Sequence, residues 1–217
     1  MKREIEMSEV SDGKRYTSND LVKISCNDCK GCSKCCHGMG TSIILDPYDI
    51  YQLTKVTGKT FNELIDSSIE LNLVDSIILP NIKMQTATDA CYYLDSAGRC
   101  SIHNNRPGIC RLFPLGRIYE NAGFTYFNQI YECDYPNKSK IKIKKWLQIP
   151  SLSQYEQYIN NWHSHVKSVE TAIDEAKDLE TEKAIAMKLL TAFYVTPYDH
   201  NTSFYEQYYE RIAKEQC

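Results

Sequence analysis

Cys26-Asn-Asp-Cys29-Lys-Gly-Cys32-Ser-Lys-Cys35-Cys36 is the stretch on which the reading of this chain turns. Four thiols fall at a strict spacing of three and a fifth follows the last directly. Such a run is poor material for a hydrophobic core. Thiolates at this spacing converge when something is held between them, and the usual guests are zinc and iron–sulfur clusters. The run is expected to be irregular loop, with Gly31, Gly38 and Gly40 supplying backbone freedom that other residues lack.

Working outward, Cys91, Cys100, Cys110 and Cys133 lie on separated segments and can join the first run only through the fold. Cys217 is terminal and is set aside. The candidate metal ligands are Cys26, Cys29, Cys32, Cys35, Cys36, Cys91, Cys100, Cys110 and Cys133. One four-ligand site would leave thiols unused, so two sites, or one large cluster with extra reactive thiols, account for them better. Side chains of adjacent cysteines diverge. Cys35 and Cys36 therefore suggest two centres side by side, or one ligand beside one free thiol. The x2, x2 spacing of Cys26, Cys29 and Cys32 is that of three corners of a [4Fe–4S] cluster, although the x3-Cys-Pro ending is absent. Structural zinc sites more often use two separated Cys-x2-Cys pairs. An iron–sulfur cluster is the favoured cofactor and zinc the alternative. His37 and His103 are minor candidates.

Thiolates leave a bound metal net negative, and Arg99, Arg106 and Arg111 stand close in sequence to Cys100 and Cys110. A guanidinium there would offset charge or orient an anionic group. They could equally be ordinary surface arginines.

The rest of the chain reads as scaffold. Thr41–Leu45 is a short strand candidate. Asp46-Pro47 starts a helix that ends before Gly58, and Thr60-x-x-Glu63 caps a second. Residues 75–88 look extended. Two hairpins are expected, one around Asp95–Gly98 with a cysteine on each arm and one around Glu120–Gly123. Beyond residue 150 glycine disappears and apolar residues recur at helical spacing, predicting helices over about 151–176, 179–194 and 201–215. Sixteen tyrosines, many in these helices, read as packing rather than as a pocket at Tyr205, Tyr208 and Tyr209.

The fold class expected is α+β: a cysteine-rich metal-binding core with short β-hairpins and helices, followed by a helical C-terminal region. The expected divisions are 1–22 as a loosely ordered lead-in, 23–136 as the cysteine-cluster domain and 137–217 as the helical part packing on it. The net charge of −3 over 217 residues provides no global field for nucleic acid or membrane. The lysines at 138, 140, 142, 144 and 145 read as a solvated face. No apolar run approaches the roughly 20 residues of a membrane span. The polar N-terminus lacks an apolar leader, so a reducing cytoplasm is expected, where dense cysteines mean metal or catalysis rather than disulfides.

Taken together, Cys29-x2-Cys32-x2-Cys35-Cys36, then Cys91-Tyr-Tyr-Leu-Asp-x3-Arg-Cys100-Ser-Ile-His-x2-Arg106-Pro107-x2-Cys110-Arg111-x-Phe-Pro114, resembles the YkgJ-type cysteine-cluster proteins, a zinc- or iron-chelating domain. The likeness spans residues 26 to about 116. Ser33 stands where the family has Gly and His103 where it has Tyr; neither change removes a thiol. Cys26 extends the run beyond the usual pattern. The resemblance implies metal binding and gives Arg106 and Arg111 a place beside the bound group. Some longer relatives are flagellin lysine N-methylases, which use S-adenosylmethionine and a cysteine-bound cluster. Three functions are therefore in view: a cluster protein for redox or small-group transfer, a zinc module presenting a surface to a protein partner, and a methyltransferase-like enzyme with a protein substrate.

Overall fold

The computed structural model describes residues 7–29, 32–120 and 123–215, and Cys217 lies outside them. The molecule is α+β, with short antiparallel strand pairs in its cysteine-bearing half and helices after them.

Helix α1, Met7–Val10, leads through a bridge between Tyr16 and Tyr126 to strand β1, Leu21–Ser25. Of the expected lead-in, 1–22, the described residues make this bridge and enter β1. Strand β1 pairs with β6, Ser139–Lys142, from the far end of the cysteine segment.

Helix α2, Pro47–Thr57, begins where Asp46-Pro47 predicts. Asp46 and Asp49 form a reciprocal capping box, and Gly58 closes the helix at φ 69°, where a side chain would be strained. Helix α3, Phe61–Ser67, is capped in the same way by Thr60 and Glu63. Each cap contributes about 1 kcal/mol.

Strands β2, Ile69–Val74, and β3, Ile77–Ile82, form a hairpin that the sequence reading missed. Residues 75–88 read as extended, which takes in β3, but no glycine marks the turn and β2 went unread. Asp75 and Ser76 make it instead, at φ 46° and 68°, the left-handed pair that a two-residue hairpin demands. The Thr41–Leu45 segment docks on β3 through Leu45 N to Pro80 O and Ile82 N to Ile43 O.

The hairpin expected around Asp95–Gly98 forms as a tight turn with one bridge, Leu94 to Cys100, rather than as paired strands. Asp95 Oδ1 accepts from both Ala97 N and Arg99 N, so the side chain fixes the turn before a ladder can lengthen. Helix α4, Gly108–Leu112, carries Cys110. Strands β4, Leu115–Glu120, and β5, Gly123–Asn128, give the second hairpin as expected. Helix α5, Ile143–Leu147, follows β6 directly.

Helices α6, Leu152–Asp174, α7, Leu179–Leu190, and α8, Phe204–Glu215, match the predicted trio, with a π turn over Thr191–Val195 extending α7. Their inner faces make an aromatic core. Tyr155, Tyr158, Phe193, Tyr194 and Tyr208 are each almost wholly buried. Tyr158 meets Phe204 and Tyr208 edge to face at 5.1 and 4.7 Å. Such pairs add about 0.5–1.5 kcal/mol beyond the area they bury. Tyr48 of α2 stacks on Tyr205, which locks the cysteine-bearing half to the helices.

Candidate metal centre

The first two x2 steps of the cysteine run are tight turns, and a third turn closes from Ser33 to Cys36, one residue past the last step. Cys29 N donates to Cys26 O at 3.1 Å, Cys32 N to Cys29 O at 3.1 Å, and Cys36 N to Ser33 O at 2.8 Å. Successive turns of this kind bring every third side chain round to the same side. Asn27 and Cys29 take left-handed backbone angles, φ 52° and 57°, to make the first of them. The register of β1 on β6 opposes Ser25 to Ser139, which brings Cys26 against the segment carrying Cys133. Lys138 Nζ holds the Cys133 carbonyl at 2.6 Å, and Lys34 pairs with Asp134 across the rim.

The opposite wall is built from the middle cysteines. Cys91 N donates to Cys36 O at 2.7 Å and Gly38 N to Asp89 O at 2.9 Å, clamping the Cys35-Cys36 turn to the second segment. The Asp95 turn folds Cys100 back beside Leu94. Helix α4 is positioned from the scaffold: the buried Asp49 carboxylate accepts from Gly108 N at 2.8 Å. Burial and the neighbouring Asp46 carboxylate push Asp49 well above the usual carboxylate range.

The result is one cavity of about 490 Å³ lined by Cys26, Cys29, Cys32, Cys35, Cys36, Cys91, Cys100, Cys110 and Cys133. All nine candidate thiols therefore face a shared space, and all nine are free thiols. The cavity has about three times the volume of an engineered site of about 150 Å³ that admits benzene. The thiols are spread over its walls. Among the described residues no three His, Cys, Asp or Glu side chains stand ready around a single ion. Cys26 Sγ and Cys29 Sγ stand 3.5 Å apart. Soft sulfur donors of this kind fit zinc or iron.

Arg99, Arg106 and His103 also line the cavity. Arg106 contacts His103 and lies close enough to the thiols to favour their charged form. Arg111 is placed elsewhere. It is absent from the lining, and its guanidinium reaches the carbonyls of Asn104, Arg106 at 3.0 Å and Gln148 at 3.2 Å. It straps the segment before α4 to the end of α5. His37 does not line the cavity.

Burial is the largest cause pushing the Cys91, Cys100 and Cys110 thiols up. Two thiols move the other way: the hydrogen bond from Cys26 draws Cys29 down, and the one from Cys36 draws Cys35 down to about 7, each with a smaller contribution from Arg106. Cys36, which keeps its proton to donate, moves up correspondingly. Burial thus holds Cys91, Cys100 and Cys110 toward the neutral form, while Cys29 and Cys35 are drawn toward the thiolate.

Three parts of the site escaped the sequence reading. Lys34 at the rim, Tyr93 and Trp146 in the wall are ordinary residues in ordinary segments. Only the β1–β6 pairing, which joins distant segments, brings the α5 residue Trp146 near the thiols.

Residues 28–145 match the family model CxxCxxCC, described as "Putative zinc- or iron-chelating domain". The chain belongs to this family. The CxxCxxCC match takes in eight of the nine cavity cysteines and both arginines, and leaves Cys26 just outside it. Helices α6 to α8 also lie beyond the matched residues. No curated protein and no solved structure matches the chain. The relation to the methylases therefore rests on the motif resemblance alone. No helix among the described residues is long and apolar enough to cross a membrane.

Proposed function

We propose that this protein holds an iron–sulfur cluster, of the [4Fe–4S] type, on thiolates of the cavity and uses it for redox or small-group transfer. The observation that supports this reading most is the gathering of all nine candidate thiols around one space of about 490 Å³. A single structural zinc needs four converging sulfurs and little volume. This cavity offers more donors and more room. When bound, a cluster would supply electron storage or a Lewis-acidic iron. Arg106 and Arg99 would offset the negative charge of the thiolates and sulfides, and the Tyr93, Phe113 and Trp146 side of the wall would limit water at the site.

The test is elemental analysis with a visible spectrum on protein prepared without oxygen and without added metal. Iron with inorganic sulfide and broad visible absorbance is the expected result. Zinc alone, with a colourless protein, would overturn the cluster reading and favour a zinc module that presents its helices to a protein partner. A methyl-transfer role predicts saturable S-adenosylmethionine binding by the loaded protein; its absence removes that role and leaves the cluster.

A further inference from the structure

The nine thiols do not surround the cavity evenly. Cys26 and Cys29 stand 3.5 Å apart, sulfur to sulfur. Two thiolates bound to one tetrahedral ion at a metal–sulfur distance of about 2.3 Å would stand about 3.8 Å apart. Thiolates on different irons of a cluster stand farther apart, because a metal–metal spacing separates them. The Cys26–Cys29 pair has the separation of one edge around a single ion.

Two further thiols join this edge. The β1–β6 register carries Cys133 to the Cys26 side of the cavity, where each thiol bears on the ionisation of the other. Cys32 follows Cys29 by one tight turn, and Lys34 ties it to the Cys133 side: the ammonium that pairs with Asp134 also faces both Cys32 and Cys133. On the opposite wall Cys36, Cys91, Cys100 and Cys110 form a second group. Backbone bonding joins Cys91 to Cys36, a bridge sets Cys100 against Leu94, and α4 brings Cys110 toward Cys91 and Cys100. Cys35 sits between the groups, beside Cys36 and facing Cys133.

We infer that the cavity holds two centres: a single tetrahedral ion on Cys26, Cys29, Cys32 and Cys133, next to the cluster on Cys36, Cys91, Cys100 and Cys110. The inference rests on the thiolate-centre reading above and divides its ligands. It also gives a role to Cys26, the one cavity thiol outside the family match. The Cys26–Cys29 edge is already formed, and binding would draw Cys32 and Cys133 in to complete the tetrahedron. Tetrahedral tetrathiolate suits zinc or a lone iron, and the measurement distinguishes them.

The experiment uses full-length protein purified anaerobically, and compares it with Cys26→Ser/Cys133→Ser and Cys91→Ser/Cys110→Ser. The expected result is one zinc or one sulfide-free iron per chain beside the cluster. The first double variant should lose that ion while retaining cluster iron, sulfide and colour. The second should lose the cluster and retain the ion. Joint loss of everything in both folded variants would mean one shared centre and overturn the inference. Should either variant fail to fold, X-ray absorption on the wild type decides. An ion with four sulfurs at about 2.3 Å and no metal neighbour supports it, whereas the absence of any such ion overturns it. A Cys26–Cys29 disulfide found by mass spectrometry in cluster-loaded protein would also overturn it, marking the pair as a redox dithiol. Wild type carrying two isolated zinc ions, each lost with its own pair, would keep the division and defeat the cluster reading. Protein with no metal at all would defeat both.

Discussion

A thiol's usefulness to a metal depends on the proton it must give up. Burial holds Cys91, Cys100 and Cys110 in the neutral form, whereas the bond from Cys36 brings Cys35 to about 7. At neutral pH the metal-free protein should therefore be alkylated first at Cys35 and last at Cys110, read by mass spectrometry of timed iodoacetamide reactions. Equal rates would show that the Cys36 bond does not form in solution. Replacing Arg106 with Gln should slow Cys35 labelling, since the nearby positive charge no longer favours its thiolate. The same neutrality sets the pH dependence of loading. Raised thiols are protonated below their own range, so metal uptake must release protons and must tighten as pH rises. Titration calorimetry in buffers of different ionisation heat should show this release. Its absence would mean that the thiols are already ionised.

At the scale of elements, the site depends on helices that touch no metal. Asp49 is a cap residue of α2, yet it also holds Gly108 and with it the start of α4. A β-carbon at Gly108 would lie 2.2 Å from the Tyr155 hydroxyl, so α4 sits where only glycine fits. Gly108→Ala should cost about 1–3 kcal/mol, as overpacking of a buried site does, and should weaken metal retention by moving Cys110. Adding Tyr155→Phe removes the clashing atom and should recover part of both. Denaturant midpoints with metal content check this, and an unchanged single variant would show that α4 shifts freely. The elements differed in how legible they were. Asp46-Pro47 and Thr60-x-x-Glu63 carry their caps within four residues, so both helices could be read locally. The β2–β3 hairpin could not, because Asp75 and Ser76 adopt left-handed angles that composition does not announce. The cysteines could be recognised as ligands from their spacing. Their division into walls could not, since it depends on β1 meeting β6 and on Cys91 bonding to Cys36. Arg111 could be placed beside Cys110 from the sequence, whereas its position against the carbonyls of Asn104, Arg106, Leu147 and Gln148 follows from tertiary packing.

For the whole molecule, the two tryptophans report on different halves. Trp146 is in the cavity wall, anchored by its ring nitrogen to Phe113 O at 3.2 Å, while Trp162 packs on Phe193 at 5.2 Å in the helical core. Loading an iron centre should quench Trp146 emission far more than that of Trp162. Trp146→Phe should abolish most of the response, and a response that survives would place the metal away from this cavity. Stripping the metal should lower the melting temperature, because a hollow lined by thiols loses what held its walls together. The pairing of β1 with β6 has one more consequence, and it concerns synthesis. Cys26 leaves the ribosome early and Cys133 late, and the strand that carries the latter into place comes after it. Contacts of such long range form slowly. Until they form, the first five thiols have no opposite wall and can capture stray ions or one another. Metal insertion must therefore wait for the cysteine segment to emerge in full, and expression in a reducing cell with slow translation should give a higher loaded fraction than rapid overproduction.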